Sequence, residues 1–193
     1  MFKGSLKFKK LTVYQLCAIA MLIAVTTVLS MVSGHLRIGN FSKLSISFIS
    51  VYIAAAAFGP VAGGIVGAAA DVISYIANPT GAYIPWFTLI EFANGFLFGV
   101  FFYRAKMKPE KKLFFIIRTL LCVVCQLAIN MFFRTYLLLK LGFLSNELSF
   151  WDAFIIRFPA SFSMTVVKFI ILAALEGFMP LFIKTIRKRE NKN

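Results

Sequence analysis

Long apolar runs separated by short polar segments dominate the chain, and six of them resemble membrane spans in length and composition. An α-helix rises about 1.5 Å per residue, so roughly 20 apolar residues cross the hydrocarbon core of a bilayer. The second run is short and is expected to lie shallow, while the sixth is long and should bend at Pro159. We therefore predict an all-α integral membrane bundle in which residues 1–193 form a single domain of six transmembrane helices. The predicted spans are Leu11–Val32, Ile46–Phe58, Val61–Ala77, Trp86–Tyr103, Leu113–Leu139 and Trp151–Ile183.

The basic residues are concentrated in three clusters, and this distribution predicts the orientation of the bundle. The clusters lie before the first span, between the fourth and fifth spans, and after the sixth. With six spans, all three fall on one side, which the positive-inside rule makes cytoplasmic. We therefore predict cytoplasmic N- and C-termini. The formal net charge of +14 could suggest nucleic-acid binding, but clusters that flank apolar spans disfavour it. The main cluster members are Lys3, Lys7, Lys9, Lys10, Arg104, Lys106, Lys108, Lys111, Lys112, Lys184, Arg187, Lys188, Arg189 and Lys192.

Composition agrees with this interpretation. The chain is 60% hydrophobic and only 15% charged, whereas about 25% of residues are charged in an ordinary soluble domain. The first run follows lysines, as in a signal peptide, but it is long enough to span and is interpreted as retained. Cys122 and Cys125 form a C-x-x-C inside an apolar run, where buried hydrophobic packing is favoured over redox or metal chemistry.

Polar side chains recur inside the predicted spans, and the predicted topology places them all in the outer half of the bilayer. From the helix rise, they lie roughly 8–14 Å below the outer ends of four different spans. A charge at the centre of a membrane helix costs about 2.5–3.5 kcal/mol on insertion scales, so several at one level suggest a shared wet or ligand-filled cavity. The residues concerned are Asp71, Glu91, Asn94, Asn130, Arg134 and Arg157.

Two acids and two arginines at one depth suit a ligand with N–H donors at one end and carboxylates at the other. Arginine binds carboxylate bidentately, and a buried carboxylate accepts N–H groups. The loop aromatics Tyr83, Trp86 and Phe87 could stack on a ring. The alternative is structural: Asp71 with Arg157, or Glu91 with Arg134, would then be ion pairs that hold helices together.

Small residues recur at four-residue spacing on three of the spans. Gly59, Gly63 and Gly67 belong to one series, while Gly95-x-x-x-Gly99 and Ala20-x-x-x-Ala24 form two others. Such faces allow close packing of membrane helices. Packing within the bundle is the simplest interpretation of each.

The segment from residue 43 to residue 89 resembles the S components of energy-coupling factor (ECF) vitamin transporters, most closely the folate-specific branch. The matching elements are Lys43-Leu44 with Phe48, the Gly59-Pro60 turn, the small-residue helix with Asp71, and the loop Pro79-Thr80-Gly81 through Pro85, Phe87, Thr88 and Leu89. Two features differ from the folate pattern: Trp86 stands where glycine is usual, and the fifth span reads Asn130-Met-Phe-Phe-Arg134.

The resemblance implies a six-helix subunit of the bacterial plasma membrane that captures extracellular folate. It implies association with a transmembrane scaffold subunit and two cytoplasmic ATPases, and reorientation in the membrane to deliver the ligand. The Ala20 and Ala24 face would dock the scaffold. Pteridine N–H groups would meet Asp71 or Glu91, and the glutamate tail would reach Arg37, Arg134 or Arg157.

Three alternatives remain open at this point. The same transporter type could carry another vitamin or precursor, such as riboflavin, pantothenate or a queuosine precursor. A structural membrane protein would use the buried charges only as pairs. An intramembrane enzyme is disfavoured because the sequence has no His-Glu-x-x-His or Gly-x-Ser-x-Gly motif and only one histidine. We predict no enzymatic activity, no cofactor and no metal, and the sequence carries no Walker A motif of its own.

Overall fold

The computed structural model describes residues 13–35, 37–38, 42–43, 46–79, 83–103, 112–142 and 150–176. In these residues the chain forms six α-helices and one small hairpin of two-residue strands. The helices are α1 (Val13–His35), α2 (Phe48–Phe58), α3 (Pro60–Ala77), α4 (Pro85–Phe102), α5 (Lys112–Lys140) and α6 (Phe150–Glu176). The strands are β1 (Arg37–Ile38) and β2 (Ser42–Lys43), which pair antiparallel.

The predicted all-α membrane architecture is confirmed. Five helices, α1 and α3 to α6, are long and apolar enough to cross a bilayer. Helix α2 is short, as the sequence indicated, and has 11 residues. The predicted end of the first span needs correction: α1 runs to His35 rather than ending at Val32, so residues 33–35 are helical and do not belong to a loop. Residues 177–183 of the sixth predicted span lie outside the described residues.

The short helix α2 is largely buried in the bundle, where it packs against α1, α3 and α4. Its alanines Ala54, Ala55 and Ala56 are almost fully buried. The ring of Tyr52 makes edge contacts with Phe98 and Phe102 on α4, at centroid distances of 5.7 and 4.9 Å. At 1.5 Å per residue, α2 is only about 16 Å long and covers roughly half of a bilayer core.

The turn from α2 to α3 depends on a glycine followed by a proline. Gly59 has φ of +108°, a conformation that side chains rarely adopt. Pro60 then starts α3 at a position where its missing N–H is not needed by the helix. This tight turn places α3 directly beside α2.

Helices α3 and α4 approach each other through glycine on both sides, as the small-residue spacing predicted. A Cβ added to Gly63 would lie 2.6 Å from the carbonyl oxygen of Gly95, and one on Gly95 would overlap the Gly63 carbonyl. A Cβ on Gly99 would overlap the backbone of Pro60. One on Gly67 would lie 2.7 Å from the carbonyl oxygen of Glu91. These contacts fix both the spacing and the rotation of the two helices.

The outer faces of α1, α5 and α6 are apolar and exposed, as lipid contact requires. Met21 is 71% exposed on α1, Phe133 is 60% exposed on α5 and Ile155 is 65% exposed on α6. The strand β2 contacts both α1 and α6. Pro159 lies inside α6, and its carbonyl accepts a hydrogen bond from Ser163 at 2.8 Å. The bend at this proline stays a prediction.

We expect Gly99→Ala to destabilise the protein, because the added methyl overlaps the backbone of Pro60 rather than a movable side chain. Overpacking of this kind costs about 1–3 kcal/mol. For a protein of this size that corresponds to a fall in Tm of roughly 2–12 °C, measurable by thermal unfolding in detergent.

Gly64→Ala is the matched control, since the three atoms nearest to its new methyl all belong to the ring of Phe92, the first at 2.7 Å, and a ring can turn aside. Equal Tm values for the two variants would contradict the close-packing account.

Candidate functional site

A chain of hydroxyl groups connects the start of α4 to the acid on α3. The Thr88 hydroxyl donates to Oδ2 of Asp71 at 2.6 Å, and the Tyr83 hydroxyl lies 2.8 Å from Oγ1 of Thr88. Because threonine has one hydroxyl proton, and this proton goes to Asp71, Tyr83 must be the donor to Thr88. The Tyr83 ring also packs against Tyr75 of α3, with centroids 5.0 Å apart. These contacts bring together two of the predicted site residues.

One turn further along α4, an ion pair connects α4 to α5. Nη2 of Arg134 donates to Oε1 of Glu91 at 2.7 Å, and both side chains are about one-third exposed. The guanidinium carbon of Arg134 lies 5.8 Å from the centroid of the Phe87 ring. Exposure of this degree means that the pair faces an accessible space rather than a sealed core. Glu91 with Arg134 is the pair that the structural alternative foresaw.

Three amide side chains continue the polar face away from the ion pair. Nδ2 of Asn130 donates to Oδ1 of Asn94 at 3.0 Å, and Nδ2 of Asn94 lies 3.4 Å from Oε2 of Glu91. Nε2 of Gln126 donates to the backbone oxygen of Asn94 at 3.0 Å. Both Asn94 and Gln126 are buried. The ion pair and the amides therefore form one connected network between α4 and α5.

Arg157 on α6 has a neutral partner. Its Nη1 donates to the hydroxyl of Thr135 on α5 at 3.2 Å. The other pairing that the structural alternative proposed, Asp71 with Arg157, is not formed, because each side chain has a threonine partner of its own. Arg157 is close enough to Arg134 for their charges to interact, and Asp71 is similarly close to Arg134 and Glu91. Arg134 thus lies near the three other charged groups.

Lys168 is not among the predicted site residues, but the structure places it near the ion pair. Its Nζ lies 5.7 Å from the centroid of the Phe48 ring, at the start of α2. It is close enough to Glu91 and Arg134 for electrostatic interaction. The cation therefore adds positive potential near the network.

The remaining predicted positions differ in how they are placed. Trp86 is 58% exposed at the start of α4, away from the buried part of the network. Arg37 lies in β1, of which the structure describes the backbone and not the side chains. Ala20 and Ala24 both lie exposed on α1. Among the described residues, no group of three or more His, Cys, Asp or Glu side chains is arranged to hold a metal ion.

Besides Lys168, sequence reasoning missed three uncharged polar residues of the site: Thr88, Gln126 and Thr135. Helical spacing could have found two of them. Thr88 precedes Glu91 by three residues, and Gln126 precedes Asn130 by four, so each shares a face with a predicted residue. Thr135 carries no such signal, because it follows Arg134 directly.

Comparison with known proteins gives a consistent picture of the fold and the family. Residues 10–179 match the family model described as "ECF-type riboflavin transporter, S component". A curated relative, "Folate transporter FolT" of Clostridium novyi (strain NT), is 38% identical over 101 residues. That match covers 52% of this chain, and the chain spans about half (55%) of the relative's length.

A solved structure shares the same fold. The crystal structure of FolT bound with folic acid superposes with a TM-score of 0.68, covering 86% of this chain and 93% of that one, at 24% identity. The resemblance to S components that the sequence predicted is thereby confirmed. With its family model matched over residues 10–179, the chain belongs to the S components of ECF-type transporters, in the family described for riboflavin, and is a multi-pass integral membrane protein.

Proposed function

We propose that this protein is the folate-binding S component of an ECF-type vitamin importer. The observation that carries the proposal is a set of four charged side chains, Asp71, Glu91, Arg134 and Arg157, which four helices contribute and in which Arg134 lies near the other three. Acids on α3 and α4 offer acceptors for N–H groups. Arginines on α5 and α6 offer donors to carboxylates.

Folate matches this set of groups at both ends. Its pteridine ring carries N–H donors, and its glutamate tail carries two carboxylates. The amides of Asn94 and Asn130 can both donate and accept, which suits the polar edge of a heteroaromatic ring. Tyr83, Trp86 and Phe87 supply ring surface at the start of α4. The relative from Clostridium novyi is named a folate transporter, and the solved structure of the same fold holds folic acid, so both support the same ligand.

Riboflavin is the second candidate, because the matched family model is described for that vitamin. Its ring also carries an N–H group and carbonyl acceptors, so the acids and amides could serve either ligand. It has no carboxylate, however, and would leave the arginines without an ionic partner. This difference favours folate.

Transport would require partners, since S components supply binding and other subunits supply energy. We infer a transmembrane scaffold subunit and two cytoplasmic ATPases, with the S component reorienting in the membrane to release its ligand. Ala20 and Ala24 are exposed on α1, and their short side chains would allow another helix to approach closely. The three basic clusters support cytoplasmic termini.

The ligand prediction is tested by purifying the protein and identifying any co-bound molecule by mass spectrometry, followed by titration with folic acid and with riboflavin. We expect folic acid to be retained and to bind more tightly than riboflavin. Co-purification of a flavin, with no binding of folic acid, would contradict the proposal.

The docking prediction uses Ala20→Leu and Ala24→Leu. Each adds bulk to the exposed α1 face, so we expect folate uptake by cells that carry the partner subunits to fall at least several-fold. Ligand binding by the isolated protein should stay unchanged, because both positions are far from the polar network in sequence and face outward.

Ala128→Leu is the matched control, since Ala128 is exposed on α5 and receives the same added bulk. Equal uptake by the α1 and α5 variants would rule out a docking role for the α1 face.

A further inference from the structure

The four charged side chains of the site differ in how their charges are balanced. Glu91 and Arg134 neutralise each other at 2.7 Å. Asp71 and Arg157 each have a neutral threonine hydroxyl as the side-chain partner. In the part of the chain that the structure describes, neither has an oppositely charged group within 4 Å. Among these four groups, Asp71 and Arg157 therefore have no directly bonded counter-charge.

We propose that the ligand is held at its two ends by Asp71 and Arg157, with Thr88 and Thr135 as positioning residues. The Glu91–Arg134 pair stays intact and forms a fixed part of the wall. This inference rests on the proposed function and deepens it, because it assigns the donor end and the carboxylate end of the ligand to different helices.

At the end where the ligand donates N–H groups, Thr88 fixes the orientation of the Asp71 carboxylate. The Thr88 proton goes to Oδ2, and Tyr83 in turn donates to Thr88, so the chain of hydroxyls runs in one direction. A carboxylate has two oxygens and about four acceptor positions. Oδ1 accepts no hydrogen bond from the described residues and is available to N–H donors. Asp71 therefore serves as an oriented, charged acceptor.

At the carboxylate end, Thr135 has the corresponding role for Arg157. Thr135 is fully buried and accepts one N–H of the guanidinium through Nη1. A guanidinium has five N–H donors in a fixed fork, so a bidentate face remains for a carboxylate. The neutral hydroxyl fixes the direction of the fork without cancelling its charge.

The Glu91–Arg134 pair suits ligand binding less well. A ligand carboxylate at Arg134 would compete with Glu91 at 2.7 Å, and a ligand N–H at Glu91 would compete with Arg134. Separating the pair would also deprive each charge of the counter-charge that it now has at 2.7 Å. Binding at Asp71 and Arg157 adds a counter-charge or donor where one is lacking.

The substrate class follows from this assignment. The ligand must carry N–H groups at the end near α3 and α4, and a carboxylate at the end near α5 and α6. An uncharged ring compound would satisfy only Asp71. Discrimination against neutral vitamins would then come from Arg157.

The test measures displacement of radiolabelled folic acid from detergent-purified protein by two fragments of folate. One is 6-hydroxymethylpterin, which has the N–H groups and no carboxylate; the other is p-aminobenzoylglutamate, which has the carboxylates and no pterin. We expect Asp71→Asn to weaken 6-hydroxymethylpterin about ten- to hundredfold and Arg157→Gln to weaken p-aminobenzoylglutamate by a similar factor, each sparing the other fragment.

The positioning residues are tested in the same assay. Thr88→Val should weaken binding of 6-hydroxymethylpterin as Asp71→Asn does, but by a smaller factor. Thr88→Ser should bind it as the wild type does, because serine keeps the hydroxyl. Thr135→Val and Thr135→Ser should show the same pattern for p-aminobenzoylglutamate. Thr165→Val is the matched control, since the Thr165 hydroxyl donates only to the Ser161 carbonyl of its own helix.

Thermal unfolding without ligand gives an independent measurement. Asp71→Asn removes a charge that has no ion-pair partner and should leave Tm unchanged or raise it, whereas Glu91→Gln removes the negative charge that is paired with Arg134 and should lower Tm. An equal fall in Tm for both variants would make Asp71 a structural residue and overturn the inference. A second result would also overturn the inference: the wild type binds folic acid, but each variant weakens both fragments equally. The proposed function would then still stand. Failure of the wild type to bind folic acid would overturn both.

Discussion

The backbone contact between α3 and α4 determines where the functional side chains lie. Gly63 meets Gly95, and Gly99 meets Pro60, at separations that leave no room for a side chain. In lipid there is little hydrophobic drive to bring helices together, so close packing of small residues supplies much of the attraction. Because both helices are fixed in rotation by these contacts, Asp71 and Thr88 meet, and Glu91 is turned towards α5.

The charged residues follow from this arrangement. A charge inside a bilayer is tolerated when it has a partner or faces a polar space. The Glu91–Arg134 pair satisfies the first condition, and its one-third exposure indicates the second as well. Asp71 and Arg157 have hydroxyl partners that fix their directions while leaving their charges in place. The network therefore both connects helices and leaves polar groups available.

The short helix α2 begins close to the polar network. Its 11 residues cover about half of a bilayer core, and the strand β2 that precedes it contacts α1 and α6. At the start of α2, Phe48 meets Lys168. Lys168 is in turn close enough to Glu91 and Arg134 for electrostatic interaction.

The sequence by itself determined the class of protein, the number of helices and the family, because apolar length, basic clusters and the motif from Lys43 to Leu89 are local properties of the chain. It also identified most of the polar residues, since any charge within an apolar run is conspicuous. Which charges pair was decided only by tertiary structure. Glu91 could have met either arginine, and only the rotation of α4 against α5 selects Arg134. Thr88 and Thr135 gain their roles in the same way, because a threonine in a membrane helix usually bonds its own backbone, and only a neighbouring helix at the right distance provides another partner.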